Sequence, residues 1–339
     1  MEKITPRGRV LDLLRGEEVD CIPCFSGMGN ITQTGLDELG FRFSEVHIDA
    51  EKMASLAAST YKLFGFDSAV VPFDIGLEAE AMGCELNFYE AREGIIYPTV
   101  KTKINAEEWK REIDVEKKGR VPIVEAAVKH LKEDIGTEVA IGVFVLGPFT
   151  LAGQVTDLNE LLKTSFKEPE RVSILLDKLA EVIISIAGVM KNAGADFLTI
   201  REMGASSDVI SPRMFESLVM PSLKRVITEV RPPRILHICG NTDPIVELMH
   251  QCGAEGISVE QRSDITRIRK KLGEDAIILG NIDPYSALVK GTPNDVKQAV
   301  KRAIRDGVSG VMPGCDIWPA VPRENMLALV NATREYGVH

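Results

Sequence analysis

The 339-residue chain lacks a long hydrophobic run, a cationic and apolar leader, and any surplus of positive charge, and each absence removes a class of function. A bilayer-spanning helix needs roughly 20 consecutive apolar residues, and no window of the sequence supplies them. Met1-Glu2-Lys3-Ile4-Thr5-Pro6 does not open a signal peptide. A formal net charge of -10 opposes binding to nucleic acid or to an anionic membrane. The expectation is a cytoplasmic protein with neither as a partner. Cysteine is also sparse. Six residues spread along a chain without an export signal predict reduced thiols or metal ligands, not a disulfide framework. Arginine is missing altogether between residues 24 and 35, just after the first expected strand.

What is present describes a globular chain, 45% hydrophobic and 27% charged, long enough to bury a large core. Short apolar runs recur at residues 21–25, 68–74, 139–145, 196–202, 235–240, 256–260, 276–281 and 311–315. Helical periodicity separates most of them, over 50–64, 123–132, about 158–192, 212–230, 244–251, 265–272 and 293–306, with a last helix over 323–336. Strands that read as continuous apolar runs are buried on both faces, as in a parallel sheet covered by helices. Eight such units predict an α/β chain folded as one (β/α)8 TIM barrel domain over residues 1–339. An N-terminal helical extension at 3–16 and a hairpin insertion from 86–89 and 95–100 complete the outline, with a charged, solvated excursion over 101–118. The glycine-rich stretch 26–34 reads as an active-site loop.

A parallel barrel carries its chemistry at the carboxyl ends of its strands. There the sequence places Asp74, Pro148, Glu202, His237 with Cys239, Glu260, Asn281 with Asp283, and Cys315. Side chains alternate along a strand, so His237 and Cys239 in Ile235-Leu236-His237-Ile238-Cys239-Gly240 project to the same side. Cys315 ends a second buried strand, and two cysteines with one histidine leave a tetrahedral zinc ion one open position, as in catalytic sites. His250 and Cys252 share the spacing but sit at the end of an expected helix, where a separation of two turns side chains by about 200°. Cys21 and Cys24 are spaced as a C-x-x-C pair without a second pair, and they read as packed thiols.

The acids have both structural and chemical readings. Asp283 precedes Pro284 and either caps a short helix or acts in the site, and Glu202 either ties a loop or works as a catalytic group. Glu260 neighbours the strand of Cys239, within reach of the metal or of His237. These three are the catalytic candidates. Asp74, Asn241 and Asn281 are the candidates for holding substrate.

His237-Ile238-Cys239, the distant Cys315 and Gly280-Asn281-Ile282-Asp283-Pro284 resemble, over the whole chain, the uroporphyrinogen decarboxylase superfamily. Within it they resemble the zinc thiol methyltransferase branch, the methylcobalamin:coenzyme M methyltransferases. The resemblance implies Zn2+ held by His237, Cys239 and Cys315, with the thiol of coenzyme M (2-mercaptoethanesulfonate) as the further ligand. It implies methylcobalamin as methyl donor, carried on a methylated corrinoid protein that meets the barrel mouth at loops such as 26–34 and 147–154, as part of methanogenesis. The decarboxylase itself is the nearest alternative. It holds a polycarboxylated porphyrinogen with arginines near its first strand, where this chain has none. A zinc-dependent homocysteine methyltransferase is the other alternative.

Overall fold

The computed structural model describes residues 4–105 and 114–338. The expected excursion over 101–118 thus lies partly outside the described residues. Nine strands are numbered along the chain: β1 (Ser68–Val71), β2 (Leu86–Asn87), β3 (Thr99–Val100), β4 (Ala140–Leu146), β5 (Phe197–Arg201), β6 (Arg234–Ile238), β7 (Gly256–Val259), β8 (Ile277–Ile282) and β9 (Gly310–Pro313). Seven of them form one parallel sheet in the order β1-β4-β5-β6-β7-β8-β9, and β2 pairs antiparallel with β3 as a minimal hairpin.

The eighth barrel position belongs to residues 21–26, and it departs from the expected strand. Pro23 has no N–H to donate, so ladder pairing cannot run through it. On the β9 side Val311 N donates to Pro23 O and Phe25 N to Val311 O. On the β1 side the backbone pairs mainly with side chains. Cys24 N donates to Asp67 Oδ2 at 2.8 Å, and Ser26 N to Ser68 Oγ at 3.0 Å. The sheet therefore closes, with side chains completing one seam.

Inside and outside are chemically distinct. Phe144, Phe197, Ile235, Leu279 and Met312 fill the barrel interior, and Val10, Leu13 and Leu14 of the helix Pro6–Leu14 cap them from the amino-terminal end of the strands. Arg7 fixes that helix through two hydrogen bonds to Asp196, just before β5. A second, larger cluster packs the outer faces of the strands against the helices.

The helices Ala50–Phe64, Ile265–Leu272, Pro293–Asp306 and Arg323–Tyr336 match their expected spans. The single helix expected over 158–192 is two, Leu158–Lys167 and Pro169–Ala193. Glu168 precedes a proline and is pushed out of the helical region, which breaks the run. The segment after β4, expected as an open loop over 147–154, is the helix Pro148–Val155, begun by a proline at its first position. Helix Pro212–Met214 runs through a π-turn, Phe215–Val219, into Met220–Glu229.

The stretch 26–34 is not an exposed loop either. Ser26 to Thr32 are buried, and Met28 belongs to the interior cluster. Gly29 approaches β1 so closely that a Cβ there would lie 1.9 Å from Pro72 O. The segment braces the chain beyond Cys315: Asn30 Oδ1 accepts from Ile317 N, and Gln33 N donates to Pro319 O.

Candidate metal centre

The period-two rule sets the site. On β6 the interior residue Ile235 is followed at the same face by His237, fully buried, and then by Cys239 beyond the strand end. His237 Nε2 lies 2.9 Å from Cys239 Sγ, which lies 3.4 Å from Cys315 Sγ. All three donor atoms fall within 4.8 Å of one another. Two sulfurs on one tetrahedral zinc, each at about 2.3 Å from it, would sit about 3.8 Å apart, so the donor set fits zinc in number, softness and spacing. Gly314 lets Cys315 approach, since a Cβ at Gly314 would meet Gln261 N at 2.6 Å.

The ring of His237 is held from behind. Its Nδ1 pairs with Ser258 Oγ at 2.9 Å, in register on the neighbouring β7. With Nδ1–H donating to Ser258, Nε2 presents its lone pair to the site. The contact between the two sulfurs moves their pKa values in opposite directions. The Cys239 thiol donating to Cys315 pushes the Cys315 pKa down, with His237 and Arg201 acting in the same sense, and the Cys239 pKa moves up.

Cys315 opens onto a cleft of about 660 Å³ at the barrel mouth, bordered by Asp74, Tyr97, Arg201, Met203, Asp316 and Trp318. Tyr285 and Trp318, with ring centroids 4.9 Å apart, stand half-exposed at the rim. Tyr97 supplies a further aromatic edge there.

The expected acids are placed differently. Glu260 does not orient His237, because Ser258 makes that contact. Its carboxylate instead accepts from Gly240 N at 2.9 Å and pairs with Arg262, outside the three-residue donor group. Glu202 turns away from the cleft to the start of helix Pro148–Val155, accepting from Phe149 N at 2.9 Å and from Thr150 N at 2.7 Å. Burial pushes its pKa up to about 7 against the pull of those donors. Asp283 caps the turn after Pro284, accepting from Tyr285 N and Ser286 N. Asn281 donates to the carbonyl of Ser263 at 3.0 Å, and Asn241, exposed, donates its N–H to Asp208. Asp74 does border the cleft, but Arg120, His47 and Gly76 N take its oxygens.

Two residues escaped the sequence reading. Arg201 lies on the interior face of β5, two residues beyond Thr199 and four beyond Phe197, a parity that the acid at the strand end obscured. Asp316 follows Cys315 directly and pairs with Arg201 through both oxygens, at 3.1 and 2.6 Å.

A family model for uroporphyrinogen decarboxylase (URO-D) matches residues 5–336. The chain belongs to that family. Among its relatives, the methylcobamide:CoM methyltransferase MtaA of Methanosarcina barkeri is 34% identical over 342 residues, covering 99% of both chains. The methylcobamide:CoM methyltransferase MtbA of Methanosarcina acetivorans is 34% identical over 343 residues with the same coverage. A solved methyltransferase from Methanosarcina mazei superposes with a TM-score of 0.93 at 32% identity, covering 98% of this chain and 99% of its own. Among the described residues of this family member, no helix is long and apolar enough to cross a membrane.

Proposed function

We propose that this chain is a zinc-dependent methyltransferase that moves a methyl group from methylcob(III)alamin to the thiol of coenzyme M. The observation that carries the reading is the convergence of His237, Cys239 and Cys315 at the edge of the cleft. Relatives of equal length whose names give methylcobamide and CoM as substrates support it. In this reading the chain is one barrel domain, and a corrinoid protein presents the methyl group at the mouth rimmed by Tyr285 and Trp318.

Zinc held by the three residues would lower the pKa of an incoming thiol, about 8.5 when free, so that its proton leaves to solvent near neutral pH. The protein's share is orientation and charge balance. Ser258 holds the ring of His237 in place, and a neutral imidazole with two thiolates would cancel the charge of the ion. An added thiolate therefore keeps its electrons available for attack. The cobalt–carbon bond breaks as the sulfur–carbon bond forms, giving methyl-coenzyme M and cob(I)alamin.

Metal analysis and a thiol panel test the reading. The purified chain should hold about one zinc ion and methylate coenzyme M from methylcobalamin, but not homocysteine. Cys239→Ala and Cys315→Ala should lose most of the metal and at least about 100-fold in rate. Cys252→Ala should lose neither, because that thiol is buried and donates to Leu248 O. Full zinc retention in both ligand variants, or coproporphyrinogen formation from uroporphyrinogen, would overturn it.

A further inference from the structure

Among the described charged residues that border the cleft, Arg201 is the one cation, and Asp74 is already neutralised by Arg120. Arg201 is also fixed. Its side chain is 3% exposed, its guanidinium stacks 4.8 Å over the Phe144 ring, and Nη2 contacts Met203 Sδ. Its Nε is buried without a hydrogen-bond partner among the described residues. A planar fork of donors with one left over matches an anion that has more oxygens to offer than a carboxylate.

Its present partner is the movable half of the pair. The Asp316 side chain is 38% exposed into the cleft and belongs to the turn after β9, while Arg201 sits within β5. Distance adds the second argument. Cys315 Sγ is 3.9 Å from Asp316 Oδ2, and that oxygen is 2.6 Å from Arg201 Nη2. A thiol and an anion joined by two carbons span such a gap, with sulfur at the metal group and oxygens at the guanidinium.

We propose that Arg201 receives the anionic end of the thiol substrate and that Asp316 is a stand-in ligand which the substrate's sulfonate displaces. The assignment rests on the thiol-ligation reading above. It makes the charge of the tail, and not only the thiol, the basis of selection. It also gives Asp316 the role of holding a buried guanidinium paired while the cleft is empty of substrate, then turning out to water.

Calorimetric binding to the zinc-loaded chain tests it with 2-mercaptoethanesulfonate, uncharged 2-mercaptoethanol, and ethanesulfonate, which has no thiol. The sulfonate thiol should bind about 10–100-fold more tightly than mercaptoethanol, the worth of charge-assisted hydrogen bonds. Ethanesulfonate should compete with it. In Arg201→Met that preference should fall to within about threefold, and ethanesulfonate should no longer compete, with zinc content and mercaptoethanol affinity unchanged. Asp316→Asn should bind the sulfonate thiol several-fold more tightly, since the competing charge is gone, and mercaptoethanol as before. If Arg201→Met does not fold or loses zinc, Asp316→Asn decides alone. A preference that survives in Arg201→Met, or a weaker sulfonate complex in Asp316→Asn, overturns the proposal. Equal binding of both thiols by the wild-type chain sinks this assignment while leaving thiol ligation intact; failure of every thiol to bind sinks both.

Discussion

Two arginine–carboxylate pairs meet the same cleft, one through its carboxylate alone and one through both partners, and they are built to opposite ends. In the first, Arg120 commits four of its five N–H donors: Nη1 and Nη2 on Asp74, Nη1 also on His47 O, and Nε on Glu80. The Asp74 side chain is 1% exposed, and His47, boxed by Phe43, Phe73 and Tyr97, adds its Nδ1. In the second, the Nε of Arg201 has no hydrogen-bond partner among the described residues, and its carboxylate partner, Asp316, faces the cleft. A closed network locks the wall of a site. An open one leaves a place to be taken.

The largest expected effect tests the closed pair. Asp74→Ala leaves a buried guanidinium without its main counter-charge and should cost about 3–5 kcal/mol in urea unfolding, with the metal group untouched. A cost under about 1 kcal/mol would erase the contrast between the pairs. The pH dependence should follow. Burial alone would raise the Asp74 pKa, but the hydrogen bonds from Arg120 and His47 outweigh it and hold the group well below the usual carboxylate range. Its contribution is therefore complete above the ordinary value of 3.8 and lost as pH falls below it. The stability gap between metal-free wild type and Asp74→Asn should be widest near pH 7 and shrink by pH 3. A gap that grows on acidification would mean the carboxyl is protonated in the fold. The smallest effect belongs to the open pair. Asp316→Ala should cost about 1–2 kcal/mol, because water in the cleft can take up the freed donors.

The barrel and the clustering of His237 with Cys239 were legible in the sequence because both rest on period two. Continuous apolar strands gave seven of the eight positions, and the H-x-C spacing at a strand end brought His237 and Cys239 to one side before any coordinate was known. The eighth strand was overread, since an apolar run containing Pro23 pairs only in part. The acids misled for a different reason. A carboxylate at a strand end is equally suited to a helix start or a turn, and Glu202 and Asp283 went there, a choice made by neighbours such as Thr150 and Ser286 that lie far off or just past the motif. Parity alone would have found Arg201, had the strand been followed from Phe197 through Thr199 and not only to its last acid.

The helix Pro6–Leu14 that stops the lower end of the barrel has a bearing on traffic. A chamber corked at one side has a single doorway, so a small guest and a large donor must use it in turn. In the proposed binding mode, with the thiol lodged deep beside Cys315 and the methyl donor resting over the rim, the thiol would have to enter first and its product leave last. Initial-rate patterns should then show a queue: a compulsory order in which the bulky visitor closes the door on a guest already seated.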